Sequence, residues 1–166
     1  QFIAEQKMFF VATAPSEGRI NLSPKGMDSF RVIDSNTIAW LNVTGSGNET
    51  ATHVAENGRM TIMFCAFVGK PVILRLYGVA RLLHPRDDEW SQWMTHFNVL
   101  PGARQIFILN VDLVQTSCGM AVPYFDYVAE RELLNDWAIK KGQQGIADYW
   151  RDRNQLSIDG QATGIL

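Results

Sequence analysis

Apolar residues fall in short, strand-length runs along the first two thirds of the chain and at helical spacing mainly near its end. Met8-Phe9-Phe10-Val11-Ala12-Thr13 is a continuous apolar run, the pattern of a strand buried on both faces. Pro15-Ser16-Glu17-Gly18 is a turn, and Arg19-Ile20-Asn21-Leu22-Ser23 resumes with period-two alternation. The two runs predict a β-hairpin, interrupted at Pro24 because proline cannot donate to a sheet ladder. A short strand around Phe30–Val32 precedes the strand 38–43 (IAWLNV), and a further strand covers 60–67. The run 72–83 (VILRLYGVARLL) is long for one strand, and Gly78 in its middle predicts a bulge or sharp curl. Residues 86–97 place Trp90, Trp93, Met94 and Phe97 at helical spacing, a packing face. The last strong strand is 106–113. Residues 115–127 read as a turn-rich connection. Two helical patterns follow, one with Leu133, Leu134, Trp137 and Ala138 and one with Ile146, Tyr149 and Trp150, separated by Lys141-Gly142. About six strands, short helices and a helical end predict an α+β, mainly β chain built on an antiparallel barrel.

Composition narrows the function classes. The chain has 166 residues, 46% hydrophobic and 19% charged, the balance of one ordinary globular domain. Its formal charge of −2 gives no electrostatic footprint for nucleic acid. No apolar run approaches membrane-spanning length and no signal-peptide pattern opens the sequence, so a cytoplasmic protein is expected. The opening Gln1-Phe2-Ile3 lacks a methionine, so N-terminal sequence is expected to be missing. Cys65 lies in an apolar run and reads as a buried thiol; nothing requires a disulfide with Cys118.

The stretch 40–59 (WLNVTGSGNETATHVAENGR) carries the strongest local signal. A strand passes through the small polar turn Thr44-Gly45-Ser46-Gly47-Asn48 into a helix with Ala51, Val54 and Ala55 on one side. Ser46 and Glu49 have capping-box spacing, with Ser46 as N-cap and Glu49 as its N3 partner, and Asn57-Gly58 ends the helix. Strand, glycine-bearing turn and helix N-terminus together make an anion site, because free backbone N–H groups and the helix dipole point into the turn. The plainer reading, a loop connection, fits the same residues. Other chemistry is sparse. His53, His84 and His96 fall on separate elements, so no metal site is expected, and His53 reads as a surface partner of Glu49 one turn away. There is no G-x-S-x-G and no self-contained set of acid, base and nucleophile, so an enzyme of this sequence would rely on a cofactor.

The order MFFVATAPSEGRINLSPKG (8–26), IAWLNVTGSGNETATHVAENGRMTIMFCAF (38–67) and VILRLYGVARLL resembles the pyridoxamine 5′-phosphate oxidase-like, FMN-binding split-barrel family. The tail, with CGMAVPYFDY, ERELLNDWA and YWRDRNQLSIDG, is similar to an uncharacterised branch of it. The resemblance implies a six-stranded antiparallel split barrel over residues 1–127, with residues 128–166 as a C-terminal helical extension packed on it. It also implies a homodimer with FMN in grooves at the interface. Ser23, Pro24, Lys25 and Gly26 would lie beside the flavin. The phosphate would sit near Asn42, Val43, Thr44, Gly45, Ser46, Gly47, Asn48, Glu49 and Thr50, where the anion site was derived independently. True pyridoxamine phosphate oxidases carry an arginine followed by valine and leucine on the strand that here reads Asn21-Leu22-Ser23-Pro24-Lys25. They also carry an Arg-Lys pair where this chain has Asn48-Glu49-Thr50. The missing cations argue against that activity, and Lys25 or Arg75 would have to supply compensating charge. The expected function is an FMN-dependent oxidoreductase acting on a small molecule, with no nucleic-acid or membrane partner. The alternatives are a non-catalytic flavin binder or redox sensor, or a cofactor-free structural dimer. Deazaflavin and haem are the alternative cofactors.

Overall fold

The computed structural model describes residues 1–166. In chain order the elements are α1 (Phe2–Glu5), β1 (Phe9–Thr13), β2 (Asn21–Lys25), β3 (Phe30–Val32), β4 (Thr37–Val43) and α2 (Glu49–Glu56). They continue with β5 (Arg59–Cys65), β6 (Val72–Leu83), α3 (Trp90–Met94), β7 (Ala103–Cys118) and α4 (Leu133–Arg153). The strands form one antiparallel sheet in the order β2-β1-β5-β6-β7-β4-β3, seven strands where six were expected. The hairpin β1–β2 forms as expected, but Pro24 pairs with Phe10 inside β2 rather than ending it. β2 is an edge strand, the one place where a missing N–H leaves no ladder partner unsatisfied.

The sheet curls on itself. Phe9 of β1 lies 5.0 Å from Phe30 of β3, centroid to centroid, and 6.2 Å from Trp40 of β4. β1 and β3 stand five strands apart in the hydrogen-bonded order, about 24 Å in a flat sheet, so only closure into a split barrel brings these rings together. The interior is the main core, where Val11, Ile62, Phe64 and Leu109 surround Trp40 stacked on Phe107 at 4.6 Å. Ala51 and Val54 bring α2 into this core. Ala55 is exposed, contrary to the expected face, while Thr50, Thr52 and His53 are buried, because barrel strands meet the helix on more than one side. On the outer face, α3 covers Leu41, Leu83, Ile106 and Ile108 with Trp90, Trp93 and Met94. α3 is shorter than the predicted 86–97, but its aromatics pack as its spacing implied.

Two glycines meet steric requirements. The β6–β7 ladder shifts register between Tyr77 and Gly78, and a Cβ on Gly78 would lie 1.9 Å from the Asn110 carbonyl oxygen. The predicted bulge is therefore present, and the backbone approach admits no side chain. Gly58, with φ of 69°, follows α2 and donates to the Val54 carbonyl, the expected helix stop. β7 runs beyond the expected 106–113 to Cys118, because its polar end pairs with β6 as a solvent-exposed ribbon. The break expected at Gly142 is real: its φ of 64° and ψ of 175° divide α4 into two helical pieces. No helix is long and apolar enough to cross a membrane.

Candidate functional site

A register shift between Asn42 and Val43 releases β4 from its ladder with β7 and starts the turn 44–48. Thr44 fixes the turn to the start of β7, its backbone N–H and its hydroxyl both donating to the Gly102 carbonyl at 2.8 and 2.7 Å. The turn carbonyls point backwards, into the protein. Arg104 donates from Nη1 to the Gly45 carbonyl at 3.2 Å and from Nη2 to the Gly47 carbonyl at 2.9 Å. Asn154 donates to the Gly45 carbonyl at 2.9 Å. Helix α2 begins at Glu49, with Asn48 and not Ser46 at the N-cap position. Ser46 is exposed, and Asn48 makes no side-chain cap: its Oδ1 accepts from Asn154 Nδ2 at 2.8 Å, while its Nδ2 donates to the carbonyls of Arg153 and Leu156. Glu49 keeps half of its expected role: its Oε2 accepts the Asn48 N–H at 3.0 Å, while Oε1 accepts the Ile158 N–H at 3.2 Å.

In front of the turn lies a small polar cleft. β2 contributes Asn21, Ser23 and Lys25, whose half-buried side chains alternate with exposed Leu22 and Pro24. Asn42, Gly47, Asn48, Glu49 and Thr50 line it from β4, the turn and α2, and Arg104 and Gln105 from β7. Of the residues expected at the site, the structure therefore brings together Ser23, Lys25, Asn42, Gly47, Asn48, Glu49 and Thr50. Pro24, Gly26 and Val43 adjoin it without lining it. Thr44, Gly45 and Ser46 open onto a separate groove with Trp137 and Tyr149. Arg75 is elsewhere, half-buried on the β6–β7 ribbon and donating to the Ser117 hydroxyl at 3.1 Å, because β6 is separated from β2 by β1 and β5.

A chain of hydrogen bonds stiffens the β2 wall. Ser23 Oγ donates to Asn21 Oδ1 at 2.9 Å, and Asn21 Nδ2 donates to Thr50 Oγ1 at 3.0 Å. Thr13 Oγ1, beside Asn21, is 2.9 Å from His53 Nδ1. His53 is 1% exposed, so it is an interior anchor for this wall and not the surface partner of Glu49 that helical spacing suggested.

The charges at the cleft are unusual. Neither Lys25 nor Arg104 forms an ion pair. Burial, reinforced by the Arg104 charge, lowers the Lys25 pKa to about 8, and its Nζ stands 5.3 Å from the centre of the Trp40 ring. Arg104 is 4% exposed, with its Nε–H buried and unpartnered. Burial lowers its pKa to about 10, opposed by Tyr149 and Glu49, so it stays charged at neutral pH. A half-buried lysine and a buried arginine without ion-pair partners, next to hydroxyl and amide groups, fit an anionic ligand carrying about two charges, such as a phosphate monoester. The Glu49 carboxylate offsets part of that field, but both its oxygens are held by backbone N–H groups. Sequence reasoning missed Arg104. Its signal was a charged residue entering the apolar strand Ile106-Phe107-Ile108-Leu109, a position that demands buried partners.

Comparison with known proteins agrees with this fold. Residues 1–118 match the family model described as pyridoxamine 5′-phosphate oxidase. The protein ustO of Aspergillus flavus, a pyridoxamine 5′-phosphate oxidase family protein, is 35% identical over 175 residues, covering 93% of this chain and 70% of its own length. Among solved structures, HupZ of Group A Streptococcus superposes with a TM-score of 0.52 at 22% identity, covering 68% of this chain and 85% of that one. HutZ, the heme storage protein of Vibrio cholerae, gives 0.50 at 18% identity, covering 72% and 92%. These two share the fold. By the family match and the fungal relative, the chain belongs to the pyridoxamine 5′-phosphate oxidase family.

Proposed function

We propose that this protein is a cytoplasmic, homodimeric flavoprotein that holds FMN by its phosphate in the cleft between β2 and the turn 44–48. It would act as an oxidoreductase on a small molecule. The observation that carries the reading is the pair Lys25 and Arg104, one half-buried and one buried cation with no carboxylate ion-pair partner, lining a cleft with hydroxyl and amide groups. Lys25 is the cation that a ligand can reach. Arg104 spends two of its N–H groups on the turn and contributes charge and backbone position. Asn21, Ser23 and Thr50 supply the polar wall that orients the phosphate. Bound FMN would supply the hydride or electron transfer that this chain's side chains lack. The Arg-Lys pair of true pyridoxamine phosphate oxidases is replaced by Asn48-Glu49-Thr50, so this reading assigns a different small-molecule substrate.

Exposed Ile20, Leu22, Val79, Leu113 and Val114 support the dimer, since they are large apolar side chains left in contact with solvent in the single chain. Both cysteines are free thiols, which suits the reducing cytoplasm. HutZ is described as a heme storage protein. Haem is disfavoured in this cleft because none of the three histidines lines it. The test is the absorption spectrum of freshly purified protein, with the released chromophore identified by chromatography. FMN supports the reading. A haem Soret band, or no flavin even after reconstitution with FMN, would overturn it.

A further inference from the structure

We infer that residues 150–158 form the rear half of the ligand turn, with Asn154 as the positioning residue, so that docking of this segment and filling of the cleft reinforce each other. The segment lies outside residues 1–118, where the family model matches. Its contacts concentrate on one target. Asn154, 1% exposed, donates from Nδ2 to the Gly45 carbonyl and to Asn48 Oδ1 at 2.9 and 2.8 Å. Asn48 returns the contact, donating to the carbonyls of Arg153 and Leu156 at 2.9 and 3.0 Å. Trp150 Nε1 donates to Thr44 Oγ1 at 2.8 Å, the hydroxyl that itself anchors the turn to Gly102. The Ile158 N–H holds Glu49 Oε1, which keeps the Glu49 carboxylate back on the helix end.

The turn has little else to hold it. Gly45 and Gly47 have ordinary backbone angles and open surroundings, so neither close packing nor a left-handed conformation fixes them. What orients their peptide planes is the set of donors behind them, two from Arg104 and one from Asn154. The Gly47 carbonyl held by Arg104 shares its peptide plane with the Asn48 N–H, which donates to Glu49 Oε2, so the contacts behind the turn also set where the Glu49 carboxylate stands at the cleft. The chain that follows the segment is tied down in turn: Asp159 pairs with Arg19, and Arg86 donates to the carbonyls of Gly164 and Ile165. Docking of the segment is therefore an ordered feature of the fold on which the turn geometry depends. Reciprocity follows from linkage, because a segment that favours the ligand-competent turn must be favoured by the ligand to the same degree.

The test is amide hydrogen exchange on the full chain, read separately for residues 44–50 and for β5 as an internal control. Asn154→Ala and Trp150→Phe are compared with the parent; the second keeps an aromatic side chain without the N–H donor, so it decides the matter if the first does not fold. Exchange at 44–50 should accelerate at least tenfold in each folded variant while β5 is unchanged. Equal acceleration throughout the molecule, or none at 44–50, would overturn the inference. A second arm rests on the FMN reading and titrates FMN and riboflavin. The variants should lose at least threefold in FMN affinity and nothing in riboflavin affinity, and FMN should slow exchange at 154–158 in the parent. A variant that loses both ligands equally would contradict positioning of the phosphate turn. If the parent binds no FMN, the proposed function fails, and the exchange at 44–50 alone still decides the inference.

Discussion

The cleft beside β2 and the free end of the β6–β7 ribbon both offer cationic side chains, and their surroundings differ completely. On the ribbon, Arg75 pairs with a serine hydroxyl among solvent-exposed neighbours of β7, and nothing acidic or buried depends on it. At the cleft, Lys25 and Arg104 are held out of water without an acidic partner, and the fold tolerates that cost because Arg104 satisfies two backbone carbonyls. Charge alone therefore does not mark a ligand site. Charge that is desolvated, unpaired and anchored to a turn does.

Replacing the two arginines should break the comparison most visibly. Arg104→Met orphans the Gly47 carbonyl, a cost of about 1–3 kcal/mol, and leaves the Gly45 carbonyl to Asn154 alone. A denaturant titration should show a loss of about 1–3 kcal/mol, with FMN binding abolished. Arg75→Met should stay within about 0.5 kcal/mol and leave FMN affinity unchanged. Equal losses would mean that Arg104 is no more embedded in function than a ribbon residue.

Lys25→Met separates binding from stability. Removing one charge-assisted contact to phosphate, worth about 1.5–3 kcal/mol, should weaken FMN at least tenfold by calorimetry. Stability should move the other way. The Lys25 pKa lies below its ordinary 10.5 in the folded protein, so the folded state binds its proton less readily than the unfolded one. Stability then rises with pH between about 8 and 10.5 as that buried charge is released. Lys25→Met should be more stable than the parent at pH 7, and the advantage should shrink across that window. FMN affinity of the parent should rise to about pH 7 as the phosphate takes up its second charge near pH ~6, then fall above about pH 8 as Lys25 loses its proton.

The smallest effects belong to the turn. Gly47 has an ordinary φ and its nearest added-Cβ neighbour is Glu49 Oε2 at 3.7 Å, so Gly47→Val should fold normally yet lower FMN affinity by crowding the cleft mouth. Glu49→Gln removes the one acid at the cleft but gives up one of two backbone N–H contacts. FMN should bind it at least as tightly as the parent, with a melting temperature about 2–4 °C lower, corresponding to ~1 kcal/mol.

Much of this could be read from the chain because barrel strands buried on both faces write themselves as continuous apolar runs, as 8–13 and 38–43 do. Gly78 and Gly58 were legible for a related reason: each meets a steric requirement that no other residue satisfies. The helix cap was misplaced because Ser46 fits the local pattern, whereas the actual start depends on Asn48 being engaged by residues more than a hundred positions away. His53 was misread for the same reason: its partner Thr13 is 40 residues distant. Arg104 shares no local motif with the turn it holds, and only the β4–β7 pairing brings it there. Local chemistry pointed to the turn as a candidate anion site; tertiary structure decided which cations stand beside it.

The central claim is that the cleft recognises the phosphate of a flavin, and the most direct measurement is a parallel titration of FMN and riboflavin into the parent protein at neutral pH and two salt concentrations. The two ligands share the ring system and differ by the phosphate. FMN should bind at least tenfold more tightly, and added salt should narrow the gap by screening Lys25 and Arg104. Equal affinity for the two ligands, unaffected by salt, would contradict the account.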